Sequence, residues 1–322
     1  MLVRNNAGRA DLRAYLGDRA FYTKIAQIAI PIMLQSLITV GINLMDTIML
    51  SSMGDAQLSA SSLAGQFINL FHICCMGIGM GASVLTARFW GMEDLPSLRQ
   101  AVTIMLRLVT AFALLFTIAT ILTPTGILWI YTKDAEIIEY GAIYLRWLIP
   151  TYLCMGLSLT CTIVLRSVGQ VQIPLISSIL AFFINVFFNW VFIFGRLGAP
   201  RMEIAGAALG TLIARAFEFF FICGYFFFRD RRIAYRLHHL GTRCRALLGE
   251  YLRVSIPVLI SDSLLALGNN AVAMIMGHIS RAFVAANSVT VVVQQLSSVF
   301  TQGLSNASGI ITGHSMGEGD FE

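Results

Sequence analysis

Eight apolar stretches, at about 25–50, 62–87, 101–123, 138–163, 173–195, 204–228, 252–277 and 285–311, constrain this 322-residue chain more than any other feature. Each reaches the roughly 20 residues that an α-helix needs to cross a hydrocarbon layer. No water is available there to pair backbone N–H and C=O groups, so each spanning segment must satisfy its own. The expected fold is an all-α integral membrane bundle. Composition agrees: 57% of residues are hydrophobic, 12% are charged, and the mean hydropathy is +0.76. Soluble domains are about a quarter charged. The fourth and eighth stretches are the least uniform, interrupted by Arg146 and by a face rich in Ser, Gln and Asn.

Eight crossings place both ends of the chain on one side. Arg4, Arg9, Arg13, Arg19 and Lys24 precede the first stretch, Arg88 and Arg99 flank the second link, and Arg166 follows the fourth stretch. Arg229, Arg231, Arg232, Arg236, Arg243 and Arg245 crowd the sixth link. The opposite links carry Asp55, and Lys133 against Asp134 and Glu136; Arg196 and Arg201, partly offset by Glu203, are the exception. By the positive-inside rule the termini and the 229–251 loop are cytoplasmic, in a plasma membrane protein. The net charge of +5 then suits an anionic lipid surface and gives no reason to invoke nucleic acid. The first 20 residues are polar, so no cleavable signal is expected. Four regions follow: a cytoplasmic segment 1–24, a six-helix lobe 25–228, a basic linker 229–251, and two helices of a second lobe, 252–322. In the linker, Arg alternates with Ile, Tyr and Leu, a pattern that predicts an amphipathic helix lying on the membrane surface.

The two lobes are related. At the offset that carries Pro31 onto Pro257, Asn43 meets Asn269, Ala60 meets Ala286, Ser62 meets Ser288, Gly77 meets Gly303, Thr86 meets Thr312, Gly91 meets Gly317 and Asp94 meets Asp320. Apolar positions track one another without gaps, as weak transporter repeats do. An even number of spans separates the copies, so the repeats run parallel, with a cleft expected between them. The second copy covers two spans, whereas the first covers six.

One carboxylate interrupts the first stretch. Asp46 lies among Ile42, Leu44, Met45, Ile48 and Met49, where an ionised Asp costs about 2.5–3.5 kcal/mol on insertion scales. Such a group is kept where it faces a protein or water-filled interior and handles protons or cations. In the fifth stretch Asn185 and Asn189 stand four apart on one helical face, either as glue between helices or as a site lining. The sixth opens GAALGT, small residues that let helices approach, and Thr211 follows them. Arg215 and Glu218, three apart, are placed to form a structural ion pair. Gln35 and Asn43 are candidates for lining a substrate cleft, and Asn69 and His72 are lesser ones. Cys74, Cys75, Cys154, Cys161 and Cys223 sit in apolar runs and Cys244 in the basic loop, with no CxxC and no metal-ligand spacing; they read as packing residues.

The run IPIMLQSLITVGINLMDTIMLSSMGDAQLSASSLAGQ resembles the first-helix signature of the multidrug and toxic compound extrusion (MATE) family. GIGMGASVLTARFWGMED, LRSVGQVQIPLI and INVFFNWVFIFG followed by IAGAALGTLIAR are similar to its later motifs, in the family's order over nearly the whole chain. The resemblance implies a two-lobed, twelve-helix antiporter, of which this chain holds eight helices. Such a protein admits a proton or Na+ and exports small organic cations or drugs by rocking between two open states. It makes Asp46 the acid that takes the coupling cation, Asn185 the amide of the same cluster and Thr211 its hydroxyl. Asn189 stands where some members have a second Asp, so the cluster has one acid and two amides, and proton versus Na+ at Asp46 stays open. Arg88 stands where many members have Gln. No cofactor beyond the coupling ion, H+ or Na+, is implied, and oligomeric state is not indicated.

Two further readings accompany antiport. A lipid-linked precursor flippase of related architecture would present several cationic residues to its cleft, whereas this cluster is neutral to acidic. A truncated, non-transporting fragment would explain the incomplete repeat. Enzymatic activity is not expected, because no nucleophile–base pair, metal motif or phosphate-binding loop occurs at usable spacing.

Overall fold

The computed structural model describes residues 19–242, 244–279 and 281–319. Arg4, Arg9, Arg13, Arg243 and Asp320 lie outside the described residues, as do the side chains of Ala286 and Ser288. The described residues form ten α-helices and no strand: α1 (Arg19–Ser51), α2 (Asp55–Gly91), α3 (Leu95–Leu122), α4 (Pro124–Tyr131), α5 (Ala135–Trp147), α6 (Thr151–Ser167), α7 (Gln172–Phe194), α8 (Ile204–Gly224), α9 (Arg245–Ile279) and α10 (Arg281–Glu318). Six are long and apolar enough to cross a membrane, and α5 with α6 makes a seventh if that pair, bent by 56°, is one span. The bend falls at Pro150, whose missing N–H cannot continue the helix. α10 is 38 residues long, but Gln294, Gln295, Ser297, Ser298 and Gln302 leave it more polar than the others. These are the fourth and eighth stretches, the two that the sequence marks as least uniform. The sequence reading missed α4, a short helix started by Pro124, which fixes φ at its first position.

α2 is the axis of the first lobe. Phe71, Cys75, Ile78, Ala82 and Leu85 share a core with Met105 and Val109 of α3 and Tyr152, Ile163 and Val164 of α6. Gly79 permits this, since a Cβ there would lie 2.3 Å from Ile163 Cδ1.

The internal repeat reappears as paired contacts. A Cβ on Gly77 would fall 2.9 Å from Leu259 Cα, and one on Gly303 would fall 2.3 Å from Met33 Cγ; these pairs exchange under the repeat. Near the end of α2 equivalent residues meet each other. Ala87 abuts Gly313, and a Cβ on Gly91 would lie 3.1 Å from Gly317 Cα. A two-fold interface produces this pattern, and its axis runs between Gly91 and Gly317. The second-lobe helices α9 and α10 therefore close on α2 and α1 at the end bearing Arg88, Arg99, Arg166 and the linker, called here the basic end. Ala29, Ile32, Ala307 and Ile310 form a small shared core there. Farther along α1 the same stripe, now Thr39, Asn43 and Thr47, is exposed, so α1 and α10 part toward the opposite end, whereas α9 stays against the first lobe there, with the Tyr131 hydroxyl donating to Asn270 Oδ1 at 2.9 Å.

The linker corrects another expectation. Among the described residues of 229–244 no amphipathic α-helix forms, and 245–251 are the first turns of α9; residues 225–229 make a π turn and 237–241 a 3-10 turn, and the segment folds into the lobe. Asp230 is fully buried and accepts from the backbone N–H groups of Arg232 (3.3 Å) and Ile233 (3.0 Å) and from Gln170 Nε2 (3.1 Å). A carboxylate that captures nearby N–H groups in this way competes with helix. Ile233 and Tyr235 then enter the main core. From α3, Arg99 donates to Ile233 O (2.9 Å), Thr103 pairs with the Tyr235 hydroxyl (2.8 Å), and Arg107 donates to Leu240 O and to Thr242 O.

Candidate functional site

Three helices bring the polar residues of the first lobe together. α7 lies between α1 and α8, and Asn185 and Asn189 occupy consecutive turns of its buried face. α8 approaches closely because its packing face is glycine: a Cβ on Gly206 would sit 2.6 Å from Phe192 O, and one on Gly210 would sit 2.1 Å from Asn189 Oδ1. The small-residue motif at the start of the sixth stretch thus determines where Asn189 can stand.

The hydrogen bonds form a chain. Asn189 Nδ2 donates to Asp46 Oδ1 at 2.5 Å and lies 3.3 Å from Asn185 Oδ1. Asn185 Nδ2 donates to Thr211 Oγ1 at 3.4 Å. Both amides are buried, at 1% and 0% exposure, whereas Asp46 is half-buried. Asn189 Oδ1 is buried without a hydrogen-bond partner. The four residues offer one anionic oxygen pair plus amide and hydroxyl oxygens, acceptors that suit a proton or a small hard cation. A charge-assisted hydrogen bond from an amide holds the ionised carboxylate when neither is present.

The other candidates separate by location. Arg215 Nη1 and Glu218 Oε2 pair at 2.8 Å, with 26% and 11% of their side chains exposed. Gln35 is not on an open face. It is buried at 7% exposure, with Nε2 donating to Ser178 Oγ at 2.9 Å and Oε1 accepting from Arg166. Asn43 is exposed on the α1 stripe where α1 and α10 part. Sequence reasoning missed Tyr144 of α5, which lies within electrostatic reach of Asp46 and close to Thr211. A tyrosine in an ordinary amphipathic helix carries no signal that could have singled it out.

Comparison with known proteins gives a consistent result. The MatE family model matches residues 31–191. The chain is 27% identical over 304 residues to a probable multidrug resistance protein NorM of Agrobacterium fabrum, covering 92% of this chain and 63% of that one. A probable multidrug resistance protein NorM of Thermotoga maritima is 25% identical, with 93% and 64% covered. Among solved structures, the outward-facing conformation of a multidrug resistance MATE family transporter superposes with a TM-score of 0.80 at 23% identity, covering 92% of this chain and 65% of that one. The chain therefore spans just under two thirds of the length of these relatives.

Proposed function

The chain belongs to the MATE family, and we propose from that premise that it serves cation-coupled efflux: inward movement of a proton or Na+ drives outward movement of organic cations across the plasma membrane. The observation that carries this reading is the contact of Asp46, the one acid within the α1 span, with the buried amide of Asn189. An ionised carboxylate at membrane depth is costly. A monovalent cation that neutralises it changes that cost, and a ligand shifts a conformational equilibrium by its differential affinity for the two states. Both second-lobe helices close on the first lobe at the basic end, while at the other end α1 and α10 part and α9 keeps its bond to Tyr131. With the basic end cytoplasmic by the positive-inside rule, this arrangement corresponds to an outward-open state. Thr39 and Asn43 on the exposed stripe are uncharged, which suits cationic cargo better than anionic lipid precursors.

Ethidium efflux from proteoliposomes under an imposed proton or Na+ gradient tests the reading. Gradient-driven efflux is expected from the native chain and is expected to vanish in Asp46→Asn at equal reconstitution. Unchanged efflux in Asp46→Asn would remove that carboxylate from the mechanism.

A further inference from the structure

The first lobe buries more charge than the site uses. Thr211, Arg215 and Glu218 share one face of α8, so the ion pair begins one turn beyond the hydroxyl of the candidate site. Arg215 is within electrostatic reach of Asp46, and Glu218 is within reach of Arg166. Arg166, at the end of α6, donates to the Gln35 amide, while its Nε is buried with no hydrogen-bond partner. It also lines a cavity of about 10 Å³ with Met80, Ser83, Ile163, Asn306 and Ile310, at the contact between the lobes. One residue on, the Ser167 carbonyl lies 2.7 Å from His314 Nε2 of α10.

We propose that Glu218 is shared between two guanidinium groups, Arg215 facing Asp46 and Arg166 facing α10, and that it transmits occupancy of the Asp46 site to the lobe contact. The proposal rests on the reading of Asp46 given above. Among the described residues, the charges and titratable groups facing this region are Asp46 of α1, His72 of α2, Tyr144 of α5, Arg166 of α6, Arg215 and Glu218 of α8, and His314 of α10; α7 contributes amides and hydroxyls alone. Both arginines stay charged. With Asp46 ionised, two cations balance two anions. Once a monovalent cation occupies Asp46, one positive charge is left over. Arg215 keeps its carboxylate at 2.8 Å, so the excess falls on Arg166, which has an amide partner instead of a carboxylate. A buried guanidinium without a counter-ion is costly, and parting of α6 from α10 lets water reach it. Occupancy of Asp46 therefore favours opening of the basic end. By linkage, opening of that end strengthens cation binding at Asp46 by the same factor.

Spin labels at Thr47 and Asn269, both exposed toward the end opposite the basic one, report the equilibrium in reconstituted chain as proton or Na+ concentration is raised. The native chain is expected to shift toward a shorter label distance. Asp46→Asn abolishes the shift if the functional reading holds; a retained shift overturns that reading. Glu218→Gln is expected to favour the open basic end before any cation is added, and Arg166→Gln to favour the closed one. Each is expected to reduce the cation response by about fivefold or more, on the scale of ordinary allosteric coupling. Glu218→Asp and Arg166→Lys, which keep the charges, are expected to restore the response. Where Glu218→Gln does not fold, Arg166→Gln and Arg166→Lys carry the test. A full cation response in Glu218→Gln or Arg166→Gln overturns the proposal, even with a lowered melting temperature, because a merely structural pair would behave that way. Baselines that move in the same direction overturn it too.

Discussion

Gly91→Ala and Gly317→Ala are expected to act alike, although one residue ends α2 and the other ends α10. A Cβ on Gly91 would lie 2.3 Å from His314 O, and a Cβ on Gly317 would lie 2.3 Å from Arg88 O and 2.9 Å from Gly91 Cα. The obstructing atoms are backbone, so no rotamer change relieves the contact. The helices must part by about 0.7 Å to reach even the 3.0 Å that real Cβ atoms show. Overpacking of this kind costs about 1–3 kcal/mol. The cost falls on the state in which the basic end is closed, because the glycines meet only there. The equilibrium should then move toward the open basic end by about 5- to 150-fold. Double electron–electron resonance between labels at Thr47 and Asn269, on a background with the six native cysteines replaced, measures the shift. Gly65→Ala, where a Cβ would have nothing within 4 Å, is the silent control. The double variant should cost less than the sum of the two, since both methyls press on one contact. A shift in one variant with none in its partner would refute the two-fold reasoning.

Gly210→Ala should turn the Asn189 amide, since its Cβ would lie 2.1 Å from Asn189 Oδ1. Losing a hydrogen bond to a charged group is worth about 1.5–3 kcal/mol, so the cation concentration giving half-maximal ethidium efflux should move by about tenfold or more, while Gly224→Ala leaves it in place. Asp230→Ala strips partners from the N–H groups of Arg232 and Ile233 and from Gln170. At about 1–3 kcal/mol for a buried unpaired donor, the melting temperature in detergent should fall by at least about 4 °C; an unchanged value would mean that the linker is not held through this carboxylate. At His239, burial outweighs a backbone hydrogen bond and, with neighbouring cations, holds the ring below its usual value of 6.5; the Arg236 N–H meets Nδ1 at 3.0 Å. The unfolded chain then binds this proton more readily, so the stability contributed by the neutral ring is present above pH 6.5 and lost as pH falls below it. His239→Gln should flatten the fall in melting temperature between pH 7 and pH 5, and an equally steep fall would exclude the ring as its source.

What the sequence revealed, and what it hid, follow from how far each interaction reaches. Asp46, Asn185 and Asn189 stood out because a polar group in an apolar run is rare at membrane depth, and that rarity needs no knowledge of neighbours. The repeat was legible for a related reason. Gly77 and Gly303, and Gly91 and Gly317, are spent on close approach, so the pattern of small residues survives where identities do not. Other roles depend on a partner distant in the chain. Gln35 read as a cleft lining, yet Ser178 and Arg166 take up its amide. The linker read as an amphipathic helix because its alternation is real, but Arg99, Thr103 and Arg107 of α3 capture its carbonyls and its tyrosine from more than a hundred residues away. Arg166 illustrates both cases. In the sequence it is one more basic residue at a span end, a topology signal. In the fold it is a guanidinium between Gln35 and the cavity beside Asn306, within reach of the carboxylate that neutralises Arg215. Its orientation function and its position at the lobe contact are compatible, because the positive-inside rule places arginine at the basic end, where the lobes close.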